Sequence, residues 1–397
     1  MKILGADVCK DRVVCWILEE WPRHLKEHWK QFCGSRSKNP KEDPLTFYFN
    51  SVGIQGLIYL KPDAVILEPT GVHYSWLIAH ICKIEGIQVL WVGHCEAVYY
   101  RKQNKLPDKN DLADALALAA YAYMHWDEPE FFLWFQPQVA ARIRELYLQL
   151  KSLARMQSPI INRSRQQLAR EFPEAAFKES PQGSDYLSPL WAWLGNRERN
   201  LKKLSTYYER LYSQSVAPRY GVELSSFTQK TANLLCDIHL WEREIEVELH
   251  QLLLRPEFKP YNRVFTQFGI GLRPRALLLS QIYPISRFES MGSFKRRLGW
   301  AGDEESSGDK VSWKAGTGSK MCRTEMYLWV LCRIAPQKNR PKTGVGKKLS
   351  EFYDHRSQQF NEGREGDKSF GNLVICQTAA YSCRLLFREL KRSLALS

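Results

Sequence analysis

The first 135 residues alternate short, apolar, β-branched segments with helical segments, and this alternation constrains the fold more than any other feature of the chain. "ILGADV" and "DRVVCWILEE" predict two strands around a tight turn, and "DAVILEPTG" and "IQVLWVG" predict two further strands. "VHYSWLIAHICKIEG" and "NDLADALALAAYAYMH" have apolar residues at helical spacing. Alternating strands and helices predict an α/β domain over residues 1–135.

The character of the sequence changes near Pro137, where long helical periodicity begins. "VAARIRELYLQLKSLARMQSPIINRSRQQLAREF" and "TQKTANLLCDIHLWEREIEVELHQLL" predict two long amphipathic helices, and we expect Pro159 to bend or interrupt the first. Such a pair can form a helical hairpin or coiled-coil arm, which is a common means of dimerisation, or a packed helical bundle. Residues 136–257 are therefore predicted to be a helical linker or coiled-coil region.

A third, mostly helical domain is predicted over residues 258–397. "FGIGLRPRALLLSQI" has the Gly-x-Gly turn found between the helices of helix-hairpin-helix modules, where backbone N–H groups meet a phosphate. "RFESMGSFKRRLGWAGDEESSGDKVSWKAGTGSK" is rich in glycine, serine and lysine, and predicts a flexible loop of about 35 residues. An amphipathic helix is predicted across "FGNLVICQTAAYSCRLLFRELKRSL".

Composition narrows the class of protein. A chain of 397 residues favours two or three domains, and its net charge of +14 favours polyanionic partners such as nucleic acids. No apolar run is long enough to span a bilayer, and no signal-peptide pattern is present. The ten cysteines include no C-x-x-C pair, which argues against a zinc site and against a disulfide framework. We therefore expect a cytoplasmic protein that binds nucleic acid and does not bind membranes.

Four acidic residues occupy notable positions in the α/β domain. Asp7 lies on the first strand, Glu68 ends the strand "AVILE", and Asp111 and Asp114 are three residues apart on one helix face. If they converge, they make an all-oxygen pocket suited to Mg²⁺ or Mn²⁺. The alternative is that Asp7 caps a turn and that the helical pair consists of solvated first-turn acids favoured by the helix dipole.

The motifs "GADVCKDRVV", "EPTGVHY" and "KNDLADALALA" resemble the three motifs of the DEDD transposases of the IS one-ten insertion-sequence group. These proteins are related to the Piv DNA invertases and are now called bridge-RNA-guided recombinases. "NRSRQQL", "FGIGLRPRALLLSQI", "ISRFESMGSFKRRLGWAG", "SSGDK" and "CRTEMYLW" continue the resemblance in the order of the family. The similarity therefore extends over most of the chain.

The resemblance implies a ribonuclease-H-like (RuvC-type) fold for residues 1–135, with Mg²⁺ or Mn²⁺ bound by Asp7, Glu68, Asp111 and Asp114. The K-x-D-x-x-D-A spacing excludes the neighbouring Asp108, and Asp11 is likewise not a motif position. It also implies a nucleophilic serine in the C-terminal domain, which corresponds to Ser307 with Ser306 as the alternative. Here Gly302 replaces the proline of the family, and three acidic residues follow it.

The activity implied is that of a transposase or site-specific recombinase that exchanges DNA strands through a phosphoserine intermediate. Its partners would be donor and target DNA duplexes, a structured bridge RNA, and further copies of the chain in a homodimer that assembles to a tetramer. The implied location is the bacterial cytoplasm, in association with the nucleoid when active.

Three other functions remain open at this point. A RuvC-type nuclease or junction resolvase would need the four acids but not Ser307, because metal-activated water would be its nucleophile. A nucleic-acid-binding scaffold with a degenerate site would be insensitive to chelators. An actin-like kinase is a more distant alternative. Such kinases also have an Asp on the first strand, but no glycine-rich phosphate loop follows Asp7 here.

Overall fold

The computed structural model describes residues 1–33, 43–69, 71–108, 110–133, 138–182, 187–197, 202–307, 310–315, 318–361 and 369–395. The chain divides into two compact units, Met1–Phe135 (unit 1) and Gln136–Ser397 (unit 2). The structure is mostly helical, with a five-stranded mixed sheet in unit 1 and a two-stranded sheet in unit 2. No helix in the described part of the chain is both long and apolar enough to cross a membrane.

Unit 1 is built on a five-stranded sheet, and the sequence predicts four of its strands. Its strands are β1 (Ile3–Val8), β2 (Arg12–Leu18), β3 (Thr46–Tyr48), β4 (Ala64–Leu67) and β5 (Gln88–Trp91). Its helices are α1 (Leu25–Cys33), α2 (Ser51–Tyr59), α3 (Gly71–Ile84), α4 (His94–Gln103) and α5 (Asp111–Met124). The strand order is β3-β2-β1-β4-β5, and β2 runs antiparallel to both its neighbours while β1, β4 and β5 are parallel. The first strand is therefore the central one.

The two faces of this sheet carry different helices. Ile3 of β1, Val14 of β2 and Ile66 of β4 pack in one cluster with the apolar residues of α5. Leu4 and Ala6 pack on the other side with residues of α2 and α3. Because side chains alternate along a strand, the odd-numbered positions of β1 face α5. Asp7 thus belongs to the face that α5 covers.

Unit 2 contains twelve α-helices and one β-hairpin in its described residues. The first helices are α6 (Gln138–Glu171), α7 (Pro173–Ala176), α8 (Pro189–Leu194), α9 (Lys202–Ser213), α10 (Val216–Arg219) and α11 (Ser226–Leu253). They are followed by α12 (Lys259–Gln267), α13 (Leu272–Ile282), α14 (Met291–Arg297), β6 (Gly302–Ser307), β7 (Lys310–Ala315), α15 (Lys320–Trp329), α16 (Gly344–Asn361) and α17 (Ser369–Ala395). A π-helical turn, Val330–Ile334, follows α15 directly.

The long helices α6 and α11 pack against each other and share one apolar core with helices after residue 258. This arrangement matches the packed-bundle alternative, and a role of these helices in dimerisation stays a prediction. Pro159 does not interrupt α6, which is continuous from Gln138 to Glu171, and a bend at this residue stays a prediction. Both ends of α6 are buried against other helices, and this packing keeps the turn that contains proline helical. A domain boundary at residues 257 and 258 stays a prediction.

The flexible loop predicted after Arg287 is wrong for most of its length. A capping box at Ser290, whose Oγ accepts from the Ser293 N–H at 3.1 Å, starts helix α14. An antiparallel hairpin of β6 and β7 follows, with Gly302 paired to Ala315 at its base and Ser307 paired to Lys310 at its tip. The glycine- and serine-rich composition concealed a helix cap and the short strand former "VSW".

Candidate active site

The register of the sheet brings two of the predicted acids side by side. Ala6 of β1 pairs with Leu67 of β4 in parallel, so the next residues along the two strands, Asp7 and Glu68, lie at the same carboxyl edge. In open sheets that contain parallel strands, this edge is where ligands commonly bind. The strand positions therefore place both carboxylates where a site can form.

Helix α5 brings the other two acids over the same edge. Asn110 caps this helix, because its Oδ1 accepts from the N–H groups of Leu112 at 3.0 Å and Ala113 at 3.1 Å. Helix α5 lies directly on β1 at Gly5, where an added Cβ would be only 1.9 Å from the carbonyl oxygen of Ala115. This close approach is possible only at glycine, and it sets the distance between the first turn of α5 and the end of β1.

The charges of the other three acids act on Asp7, and those of Glu68 and Asp111 also act on Asp114. The pKa of Asp7 is raised to about 7, first by burial and then by the negative charges of Asp111, Asp114 and Glu68. The pKa of Asp114 is also raised, mainly by burial, although Arg101 opposes the rise. The structure thus brings Asp7, Glu68, Asp111 and Asp114 into one cluster, which we call the acidic cluster.

Three basic side chains contact this cluster, and the sequence analysis did not identify them. Arg101 of α4 is buried and donates to Asp114, and its other end group lies 3.6 Å from Asp108. Arg12 lies 3.7 Å from Asp111, and His94 Nδ1 lies 2.5 Å from Glu68 Oε1. No spacing in the sequence links these residues to the acids, because Arg12 comes from β2 and the other two come from α4.

Cys9 is a further member of the site that sequence reasoning missed. Its Sγ lies 3.5 Å from Asp111 Oδ2, and one ligand atom from each of Asp7, Cys9 and Asp111 lies within 4.8 Å of the others. Burial raises the pKa of this thiol to about 12, and the charge of Asp7 adds to the rise. The signal was present in the sequence, since residues two apart on an extended strand share one face.

The donor set of the acidic cluster fits a hard divalent cation. Carboxylate oxygens are the ligands that Mg²⁺ and Mn²⁺ prefer, and a cation would relieve the repulsion that adds to burial in raising the pKa of Asp7. Asp7, Cys9 and Asp111 form one group of neighbouring ligand atoms, while Glu68 and Asp114 act on Asp7 through their charges. Asp11 and Asp108 lie at the surface, with side chains 62% and 73% exposed.

Ser307 lies in unit 2, at the last paired position of β6. The expectation that it stands in a loop is therefore wrong, because its backbone pairs with Lys310 in the hairpin. Ser306, the alternative nucleophile, pairs with Val311 one position nearer the base. Gly308 and Asp309, which complete the motif "SSGD", lie outside the described residues.

Comparison with known proteins adds nothing to this geometry. No model of a known protein family matches the chain, and no curated protein matches it either. The similarity to the transposases of the IS one-ten group therefore rests on the motifs quoted above and on their order along the chain.

Proposed function

We propose that this protein is a DNA transposase or site-specific recombinase that exchanges strands through a phosphoserine, guided by a structured bridge RNA. The observation that carries the proposal is the acidic cluster. Four carboxylates from β1, from the end of β4 and from α5 meet at one edge of the sheet, where burial and then the charges of the other three acids raise the pKa of Asp7 to about 7. A group of acids held this close is typical of a site for divalent metal.

In this proposal Asp7, Glu68, Asp111 and Asp114 hold Mg²⁺ or Mn²⁺. Such ions, when bound, stabilise the charge on the attacking and leaving oxygens of a phosphoryl transfer. Arg101 keeps the carboxylate of Asp114 in place, and His94 does the same for Glu68. The RuvC-type fold is part of the proposal, and the central position of β1 supports it because the first acid stands in the middle of the sheet edge.

Ser307 supplies the nucleophile. Its hydroxyl oxygen attacks the phosphorus of a DNA phosphodiester, loses its proton, and forms a phosphoserine as the bond to the leaving sugar oxygen breaks. That oxygen leaves as a hydroxyl once it is protonated. The reverse attack by the hydroxyl of another strand completes the exchange without net hydrolysis. The place of Ser307 beside the tip of a hairpin supports this role, since a hairpin tip can enter a groove of DNA.

The DNA and RNA partners are supported by charge as well as by the motifs. Residues 136–397 contain 42 Lys and Arg against 26 Asp and Glu, whereas residues 1–135 contain 15 against 17. The positive excess of the whole chain therefore lies in unit 2. Assembly into a homodimer and a tetramer, and a cytoplasmic, nucleoid-associated location, belong to the proposal on the strength of the motifs alone.

A metal-dependent nuclease of the RuvC type is the second candidate, because the acidic cluster by itself would serve it equally well. The two candidates differ at Ser307, which the nuclease does not need. A nucleic-acid-binding scaffold would need neither the acids nor the serine.

The test begins with sequencing of the RNA that co-purifies with the protein, because the sequence of that RNA identifies the DNA to be used as substrate. Recombination is then measured for the wild type, Ser307→Ala, Ser306→Ala and Asp7→Ala. We expect Ser307→Ala to keep its melting temperature and its DNA binding, since such substitutions typically change stability by less than about 0.5 kcal/mol. The rate of strand exchange by Ser307→Ala should fall by several orders of magnitude.

A covalent protein–DNA adduct is the direct product to look for. The wild type should form an adduct that resists denaturant and maps by mass spectrometry to the peptide containing Ser307. An adduct on Ser306 would move the nucleophile by one residue and leave the mechanism in place. Normal cleavage by both serine variants, with loss of cleavage in Asp7→Ala, would establish the nuclease instead. Binding without any cleavage would establish the scaffold.

A further inference from the structure

Unit 2 contains a group of three partly buried arginines that come from separate elements. Arg144 lies on α6, Arg287 lies between α13 and α14, and Arg297 ends α14. The residues next to them, Ile143, Phe288 and Leu298, belong to the same apolar core. The Nε atoms of Arg144 and Arg297 are buried and have no hydrogen-bond partner.

Arg297 lies within electrostatic range of both Arg287 and Arg144. Burial, and then the charge of Arg297, lowers the pKa of Arg287 to about 10. Burial, and then the charge of Arg144, lowers the pKa of Arg297. Both Arg297 and Arg144 also act on the buried thiol of Cys322. The group is thus a concentration of like charge at the edge of an apolar core, where charges are poorly solvated.

No carboxylate in the described part of the chain forms an ion pair with Arg144 or Arg297. Arg273 differs in this respect, because it bonds to Glu246 at 2.7 Å. Glu325 acts on the same Cys322 thiol, but its carboxylate is already bonded to the Tyr147 hydroxyl at 2.7 Å and the Lys151 ammonium at 2.5 Å. Half-buried guanidinium groups without an acid are satisfied best by an anion from outside the chain.

We propose that Arg144, Arg287 and Arg297 form a binding subsite for a backbone phosphate of a nucleic acid. This proposal rests on the proposed function for the class of ligand, and on the burial and missing acid partners of Arg144 and Arg297 for the site. Guanidinium groups bind phosphate oxygens in a bidentate manner, and they are less strongly hydrated than an ammonium group. A phosphate here would replace the missing carboxylate.

The subsite lies at the base of the hairpin that carries Ser307. The carbonyl of Arg297 accepts from the Ser319 N–H at 3.1 Å, so the two chain ends of the hairpin meet beside this arginine. The strand β6 spans six residues from Gly302 to Ser307, so its two ends lie roughly 17 Å apart at the usual rise of a strand. The bound phosphate is therefore distinct from the one that reacts, and it positions the nucleic acid relative to the hairpin.

The test compares Arg297→Gln and Arg144→Gln with Arg388→Gln, an exposed arginine of α17 in the same unit whose loss changes the net charge equally. Binding of a fluorescein-labelled 30-base-pair DNA duplex and of the co-purified RNA is titrated at several salt concentrations. We expect each subsite variant to bind one of the two probes about tenfold more weakly. The slope of log affinity against log salt should also fall by about one unit. Weaker binding of the duplex would assign the phosphate to DNA, and weaker binding of the RNA would assign it to RNA.

Melting temperature separates a binding role from a structural one. Removal of one like charge should leave the melting temperature of Arg297→Gln and Arg144→Gln unchanged or raise it, whereas loss of a structural arginine would lower it in both. The subsite is refuted if both variants bind both probes as the wild type does, if Arg388→Gln loses as much affinity, or if both variants are destabilised. Failure of the wild type to bind either probe would instead refute the proposed function.

Discussion

The two units differ in net charge and in how their charged side chains are paired. Unit 1 is close to neutral, with 15 Lys and Arg against 17 Asp and Glu, yet it gathers four carboxylates at one sheet edge. Unit 2 carries 42 basic against 26 acidic residues and leaves Arg144 and Arg297 without acid partners among the described residues. In unit 1, by contrast, Arg101, Arg12 and His94 each contact an acid of the cluster.

This difference shows what each unit is suited to bind. An acidic cluster repels a phosphate backbone unless cations lie between them, so unit 1 is suited to metal first and nucleic acid second. The uncompensated arginines of unit 2 attract phosphate directly. The proposed strand exchange needs both properties, and the proposal assigns them to separate units.

The largest expected effect is on the geometry of unit 1. In Gly5→Ala the new Cβ would stand 1.9 Å from the Ala115 carbonyl oxygen and 2.7 Å from the Ala119 nitrogen, so α5 must move away from β1. We expect a loss of about 4 kcal/mol in the free energy of unfolding, or failure of unit 1 to fold. Gly344→Ala, in unit 2, is the matched control, since nothing lies within 4 Å of its added Cβ. Denaturant titration measures both, and equal stability of the two variants would contradict the packing of α5 on β1.

A smaller effect is expected at the ion pair inside the acidic cluster. Arg101→Gln removes the partner of Asp114, whose side chain is 29% exposed, and leaves that carboxylate in a half-buried, negatively charged site. Breaking a fully buried pair costs about 3–5 kcal/mol, and the exposure of Asp114 reduces our expectation to about 2 kcal/mol. Lys102→Gln, at the exposed neighbouring position of α4, should change little. If Arg101→Gln were as stable as the wild type, Arg101 would not support the acidic cluster.

Much of unit 1 could be predicted because its signals are local. Strands β1, β2, β4 and β5 follow apolar runs, and α5 follows a segment with apolar residues at helical spacing. The convergence of Asp7, Glu68, Asp111 and Asp114 follows from strand ends and helical spacing. Arg101, Arg12 and His94 could not be found, because their contacts depend on tertiary packing that no spacing in the sequence encodes.

Unit 2 was harder to predict because its signals conflict. Pro159 disfavours a helix locally, yet packing at both ends of α6 overrides that preference. The segment before Ser307 has the composition of a loop, but its backbone pairs with β7. The arginine group joins residues that are up to 153 positions apart in sequence, from Arg144 to Arg297, so only the tertiary structure brings it together.

The central claim is that the acidic cluster binds a divalent cation. The pH dependence of stability that Asp7 causes provides a test of this claim. Its pKa is raised from 3.8 to about 7 in the folded state, so metal-free stability should fall as pH rises from 4 to 8, because the folded protein must give up a proton that the unfolded chain has already lost. Asp7→Asn cannot ionise and should escape this loss.

The most direct measurement is therefore the melting temperature of wild type, Asp7→Asn and Asp11→Asn at pH 4 and pH 8, each with and without Mn²⁺. At pH 8 without metal we predict that Asp7→Asn melts a few degrees above the wild type, and that the two agree at pH 4. Saturating Mn²⁺ should raise the melting temperature of the wild type and of Asp11→Asn at pH 8, and should leave that of Asp7→Asn unchanged. An equal rise in all three proteins, or no rise in the wild type, would contradict the account.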